Sequence, residues 1–310
     1  MYNKPNSDLW SGRVDIEDGE LGKRWHEKVE FLDYPYNQKS GVAILGFECD
    51  EGVKRNKGRV GAAKGSDELK KAMGGFAYHQ DCKLYDCGKV VGNEDLEKSQ
   101  EELALHVKAL LQNKHFPIVL GGGHEVAYGS FLGLYNSLDK NEEIAIINFD
   151  AHFDLRENEI ATSGTPFAQI SKLDTPFNYM CLGVSKAANT KALFAAAEAL
   201  HVEYILDTKM TYMYIKEIKA KIDNFLKNKE CIFITIDTDV FPAFQVPSVS
   251  AMASRGVEVG LVYELLKYLF ENYRNKIKLL DIAEFNPKYD INNIGEKTVS
   301  RLIYDLVSLF

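Results

Sequence analysis

Four times along the chain, an apolar run of strand length ends on histidine, aspartate or glutamate. The first run is Ile118-Val119-Leu120, leading through Gly121-Gly122-Gly123 to His124-Glu125. The second, Ile146-Ile147-Asn148-Phe149, stops on Asp150-Ala151-His152-Phe153-Asp154. The third, Phe233-Ile234-Thr235-Ile236, stops on Asp237-Thr238-Asp239, and the fourth, Leu279-Leu280-Asp281-Ile282-Ala283, on Glu284. Short β-branched runs of this kind must pair into a sheet, and open parallel sheets bind ligands outside the carboxyl ends of their strands. The four polar groups are therefore expected along one edge of one sheet.

The rest of the chain fits that plan. Strands are expected at Val42–Phe47, Leu84–Cys87, Pro117–Leu120, Glu143–Phe149, Tyr179–Val184, Glu203–Leu206, Cys231–Ile236 and Ile277–Ile282. Helical patterns are expected at Asp67–Met73, Asp95–Gln112, Glu125–Tyr135, Thr190–Leu200, Tyr212–Lys227, Val259–Asn272 and Glu296–Leu309, with Leu103, Val107, Leu110 and Leu111 at helical spacing. Strands alternating with helices indicate an α/β fold whose mainly parallel sheet is buried on both faces. Nothing resembling a linker or repeat divides residues 1–310, so one domain is expected, with residues 1–40 as an arm packed upon it.

Composition narrows the function. At 45% hydrophobic and 26% charged, the chain can bury a sizeable core. A net charge of −8 argues against a nucleic-acid binder. No apolar run is long enough to span a membrane, and the N-terminus lacks the apolar stretch of a signal peptide. The expected location is the cytoplasm. Five scattered cysteines fit reduced thiols rather than a disulfide framework; Cys82 and Cys87 are close in sequence but lack CxxC spacing.

In an extended strand end, residues i, i+2 and i+4 point to one side. Asp150, His152 and Asp154 can thus act together, as can Asp237 and Asp239. With His124, they form a cluster of four carboxylates and two imidazoles, self-repelling unless cations hold it. Two divalent ions satisfy the count, and oxygen-rich ligation without thiolate suits manganese better than a structural zinc site.

GGGHE, DAHFD and IDTD, in this order, resemble the ligand motifs of the ureohydrolase superfamily, which includes arginases and agmatinases. The resemblance implies a three-layer α/β/α sandwich around an about eight-stranded sheet, and two Mn²⁺ ions per subunit. It assigns His124, Asp150, Asp154 and Asp237 to one ion. The other falls to Asp150, His152, Asp237 and Asp239, with Asp150 and Asp237 bridging.

Further segments resemble the branch of the superfamily that acts on formimidoylglutamate. They are Leu9-Trp10-Ser11-Gly12-Arg13-Val14-Asp15, Arg24-Trp25-His26, and Gly46-Phe47-Glu48-Cys49-Asp50-Glu51-Gly52-Val53 continued by Arg55-Asn56-Lys57-Gly58-Arg59-Val60-Gly61-Ala62. Ser163-Gly164-Thr165-Pro166-Phe167 replaces a loop where arginases carry a histidine, at about Ser163. Asp239-Val240-Phe241-Pro242-Ala243 lacks the second Asp-Pro of arginases and agmatinases. The implied reaction is hydrolysis of N-formimidoyl-L-glutamate, a small-molecule substrate, to L-glutamate and formamide in histidine degradation, by a hydroxide bridging the metals. Asp154 is the expected proton relay to the leaving amine, and Glu284 the expected partner of the cationic amidine. Arg156, where arginases place a neutral Asn, is the expected carboxylate reader. Ser163 is a further candidate, and Arg55 and Arg59 are weaker ones, because exposed loop arginines are usually just solvated.

Other readings remain at this level. An agmatinase or guanidinobutyrase would need a site without cations for two carboxylates, which Arg156 disfavours. A deacetylase-like single-zinc enzyme is opposed by the complete ligand set, and so is a non-enzymatic regulator. The sequence leaves room for a homo-oligomer.

Overall fold

Runs that are apolar at every position need cover on both faces, and in this computed structural model they receive it. The structure describes residues 1–139 and 142–310. Its strands are β1 (Tyr2–Asn3), β2 (Glu30–Phe31), β3 (Val42–Glu48), β4 (Leu84–Val91), β5 (Phe116–Leu120) and β6 (Ile144–Phe149). They continue with β7 (Asn178–Val184), β8 (Glu203–Leu206), β9 (Cys231–Asp237) and β10 (Ile277–Ala283). The α-helices are α1 (Trp25–Lys28), α2 (Glu51–Arg55), α3 (Gly65–Gly74), α4 (Leu96–Gln112) and α5 (Val126–Tyr135). After them come α6 (Pro166–Ile170), α7 (Lys191–Ala199), α8 (Ile215–Leu226), α9 (Val259–Tyr273) and α10 (Ile294–Val307).

Eight strands form a parallel array in the order β4-β3-β5-β10-β9-β6-β7-β8. The strand period of two splits each run between two cores. Ile118 and Leu120 pack with α3, α8, α9 and α10, whereas Val119 packs with α4, α5, α6 and α7. The result is the expected three-layer sandwich. Asp95 and Thr190 each accept a backbone N–H of the first turn that follows them, which fixes the starts of α4 and α7. Among the described residues no helix is long and apolar enough to cross a membrane.

Residues 1–40 lie over the β4 edge of the sheet, where β1 pairs antiparallel and β2 parallel with β4. The indole N–H of Trp10 donates to Asp86 at 2.8 Å, and the buried Lys70 ammonium donates to the same carboxylate at 2.6 Å. Cys82 and Cys87 pack against different cores, on opposite sides of the sheet, and both are free thiols. The two do not form a pair.

Strand register positions the site. Ile282 of β10 lies beside Leu120 of β5 and Ile236 of β9, and Ile236 lies beside Phe149 of β6. The next residues outward on β9 and β6 are Asp237 and Asp150. The four polar ends therefore come from four neighbouring strands in the middle of the sheet, at the same carboxyl edge.

Candidate metal centre

His124 reaches the edge through the glycine turn after β5. A Cβ on Gly122 would fall 1.6 Å from the Cys49 carbonyl oxygen, so only glycine lets this turn lie flush against the end of β3. The His124 Nδ1 then stands 3.1 Å from Asp150 Oδ2, 3.0 Å from Asp154 Oδ2 and 3.1 Å from Asp237 Oδ2. These four side chains form one group able to hold an ion, and Asp150, His152 and Asp239 form a second. His152 Nδ1 lies 3.0 Å from Asp239 Oδ2 and 3.6 Å from Asp150 Oδ1.

Asp150 thus turns one oxygen to each group, as a bridging ligand must. Asp237 turns its Oδ2 to the first group, and its Oδ1 accepts the Asp239 N–H at 2.8 Å just as Asp150 Oδ1 accepts the His152 N–H at 2.6 Å.

The donor set fits divalent cations on electrostatic grounds. Burial, followed by the like charges of Asp239 and Asp150, pushes Asp237 well above the carboxylate range. Burial and the Asp150 charge raise Asp154 to about 6. Burial resists charge on His124, but the carboxylates at its Nδ1 outweigh burial and hold its pKa well above the usual histidine value. Asp239 Oδ1 is buried without a hydrogen-bond partner. Such a set is stabilised by positive charge placed among its oxygens.

Glu284 follows β10 with φ 64° and Asp154 lies beyond β6 with φ 49°, a region that non-glycine residues rarely occupy. Strain concentrated at two candidate catalytic positions is what a site that fixes its side chains shows. The Glu284 N–H donates to Gly122 O at 2.8 Å, and its Oε1 accepts the His124 N–H at 3.1 Å. Its Oε2 is buried with no hydrogen-bond partner among the described residues, beside the metal ligands.

Glu284, His152, Asp154, Asp237 and Asp239 line a cavity of about 320 Å³, together with Arg156, Ser163 and Arg59. The Arg156 N–H donates to Gly164 O at 2.9 Å, while its guanidinium carries no ion pair among the described residues. The absent side chain of Gly164 makes room for it, since a Cβ there would meet Arg156 Cδ at 3.0 Å. Ser163 Oγ accepts from Asn56 Nδ2 at 3.2 Å. Arg59 lines the cavity as well. Its guanidinium donates to Ser250 O at 3.0 Å and to Val249 O, and lies over the Tyr289 ring at 4.3 Å. Its fork thereby clamps the loop at the cavity wall. Arg55 is spent on Glu51, Glu97 and two backbone carbonyls.

Two supporting residues escaped the sequence reading. Asn148 Nδ2 donates to Asp150 Oδ2 at 2.9 Å, and Thr235 Oγ1 meets His124 Nε2 at 2.9 Å. Each is a polar residue inside an otherwise apolar strand, two positions before an aspartate ligand and hence on the same side. That spacing was a usable signal. Fixing a ligand's orientation from behind is the usual work of such groups.

The arginase family model matches residues 40–308. The formimidoylglutamase of Chromobacterium violaceum is 46% identical over 303 residues, which cover 96% of each chain. The solved structure of formimidoylglutamase from Bacillus subtilis aligns with a TM-score of 0.79 at 21% identity, over 90% of each chain. That of Trypanosoma cruzi formiminoglutamase with Mn²⁺ aligns with a TM-score of 0.78 at 19% identity, over 99% of each chain. At those identities the two structures bear on the fold.

Proposed function

This chain belongs to the arginase family, and we propose that within it the chain hydrolyses N-formimidoyl-L-glutamate to L-glutamate and formamide. One observation carries the choice of substrate: the cavity that joins the carboxylate cluster to buried Glu284 also holds the unpaired guanidinium of Arg156. A cationic amidine and an anionic amino-acid end find opposite charges in one pocket.

Two Mn²⁺ ions per subunit would be held by His124, Asp150, Asp154 and Asp237, and by Asp150, His152, Asp237 and Asp239. When bound, they supply Lewis acidity and lower the pKa of water toward neutrality. Glu284 orients the amidinium, because its unpartnered Oε2 is the free acceptor facing the cluster. The leaving α-amine cannot depart as an anion and must gain a proton. Asp154 holds that proton on Oδ1, the oxygen not turned to His124. Arg156 fixes the α-carboxylate and so aligns the scissile bond. We place the enzyme in the cytoplasm, where its five free thiols stay reduced.

Arg156 offers the test. A charge-assisted contact contributes ~1.5–3 kcal/mol, so Arg156→Ala is expected to raise KM for N-formimidoyl-L-glutamate by about one to two orders of magnitude. Arg156→Lys recovers part of the loss, because a point charge cannot reproduce the planar fork. Steady-state kinetics on the three forms checks this. An unaltered KM in the alanine variant would make Arg156 a solvated surface residue and remove the case for a carboxylate-bearing substrate.

A further inference from the structure

A second cavity, of about 520 Å³, opens beside the metal pocket, and His152, Ala188 and Ala251 line both. Two cations line it, Lys186 from the turn after β7 and Arg255 from the loop beyond Asp239; its acidic wall residue is Asp207. Neither Lys186 nor Arg255 forms an ion pair among the described residues. Exposed cations are ordinary in themselves. What distinguishes these two is how firmly their backbones are tied to the metal-ligand turns.

Ser185 N–H donates to Ala151 O at 2.9 Å. Buried Asn189 closes the same turn: its Nδ2 donates to Ala151 O and Ser185 O, both at 2.9 Å, and its Oδ1 accepts the Phe153 N–H at 3.1 Å. Lys186 is therefore carried on a turn stitched to both neighbours of His152. Arg255 is clamped from the other side. Ala243 N–H donates to Ala253 O at 2.9 Å and Val257 N–H to Val240 O at 2.7 Å. Between them Gly256 has φ 63°, and a Cβ there would lie 2.3 Å from the Pro242 nitrogen. The loop thus lies flush against the segment that follows Asp239, with Arg255 held at the rim of the cavity.

We propose that Lys186 and Arg255 read the side-chain carboxylate of the substrate, and that the second cavity is the subsite that selects a dicarboxylate. This rests on the function proposed above. The α-carboxylate is borne by the carbon attached to the scissile nitrogen, so it stays in the metal pocket with Arg156. The other carboxylate lies at the end of a flexible chain long enough to pass His152 into the adjoining cavity. There it meets two cations that form no ion pair among the described residues, while a neutral or cationic tail would leave them unmatched.

The test compares N-formimidoyl-L-glutamate with N-formimidoyl-L-2-aminobutyrate, in which a hydrogen replaces the distal carboxylate, on the Mn²⁺-loaded protein. Lys186→Ala combined with Arg255→Ala is expected to lower the ratio of kcat/KM between the two compounds by about one to two orders of magnitude, through KM. Calorimetry should show L-glutamate binding weakened in parallel. Arg255→Lys should retain part of the ratio, and Arg156→Ala should weaken both compounds together because both carry the α-carboxylate. An unchanged ratio in the double variant, or equal losses on both compounds, would overturn the assignment. If the parent protein hydrolyses neither compound, the function itself is wrong and the subsite falls with it.

Discussion

Asp150→Asn is expected to lose at least one bound metal ion per chain and to reduce turnover at least about a thousandfold, about 4 kcal/mol in the barrier. The side chain serves both ligand groups, with Oδ2 3.1 Å from His124 Nδ1 and Oδ1 3.6 Å from His152 Nδ1. It also receives two donors, the His152 N–H at Oδ1 and Asn148 Nδ2 at Oδ2. An amide has one oxygen, so either orientation turns an NH₂ group toward one of these donors in a fully buried position. The substitution removes charge and leaves a donor without an acceptor, a further cost of about 1–3 kcal/mol. Metal content by elemental analysis, alongside turnover, checks it. A variant holding as much metal as the parent and turning over normally would show that Asp150 does not bridge.

Glu284→Gln is expected to lower kcat by about two to three orders of magnitude with metal content unchanged, as for a lost electrostatic partner of the transition state. Glutamine preserves the shape, and its oxygen can still accept the His124 N–H that Glu284 Oε1 accepts at 3.1 Å. What disappears is the negative charge at Oε2, which has no protein partner and is free for the amidinium. Two outcomes count against this role. Loss of metal would make Glu284 a ligand, and a change confined to KM would make it a ground-state contact.

The sheet was legible in the sequence because continuous apolar runs bounded by turns can only be strands covered on both faces. Each of the eight parallel strands falls on an expected segment, and the ends differ by a few residues at most. Helices α1, α2 and α6 were not legible, since four or five residues do not establish a period of 3.6. The convergence of His124, Asp150, Asp154, Asp237 and Asp239 followed from their positions at strand ends. The orientation of each carboxylate did not, because it depends on folded-chain contacts such as the Asp239 N–H at Asp237 Oδ1 and Asn148 Nδ2 at Asp150 Oδ2. Local sequence is equally silent on Arg59. Its partners at Val249, Ser250 and Tyr289 are nearly two hundred residues or more distant, and only the folded chain shows the guanidinium engaged. The left-handed conformation of Glu284 likewise arises from tertiary context, as glutamate does not favour a tight turn by itself.

The proposed site holds two manganese ions and cleaves an amidine carrying two carboxylates. It is tested most directly by stripping the protein with chelator, reloading it with Mn²⁺, and measuring kcat/KM on N-formimidoyl-L-glutamate, arginine, agmatine and 4-guanidinobutyrate. Activity should vanish on stripping and return with Mn²⁺, and N-formimidoyl-L-glutamate should exceed every guanidino compound by at least about two orders of magnitude, the worth of its carboxylate contacts. A guanidino compound hydrolysed more efficiently, or turnover undiminished in the metal-free protein, would contradict it.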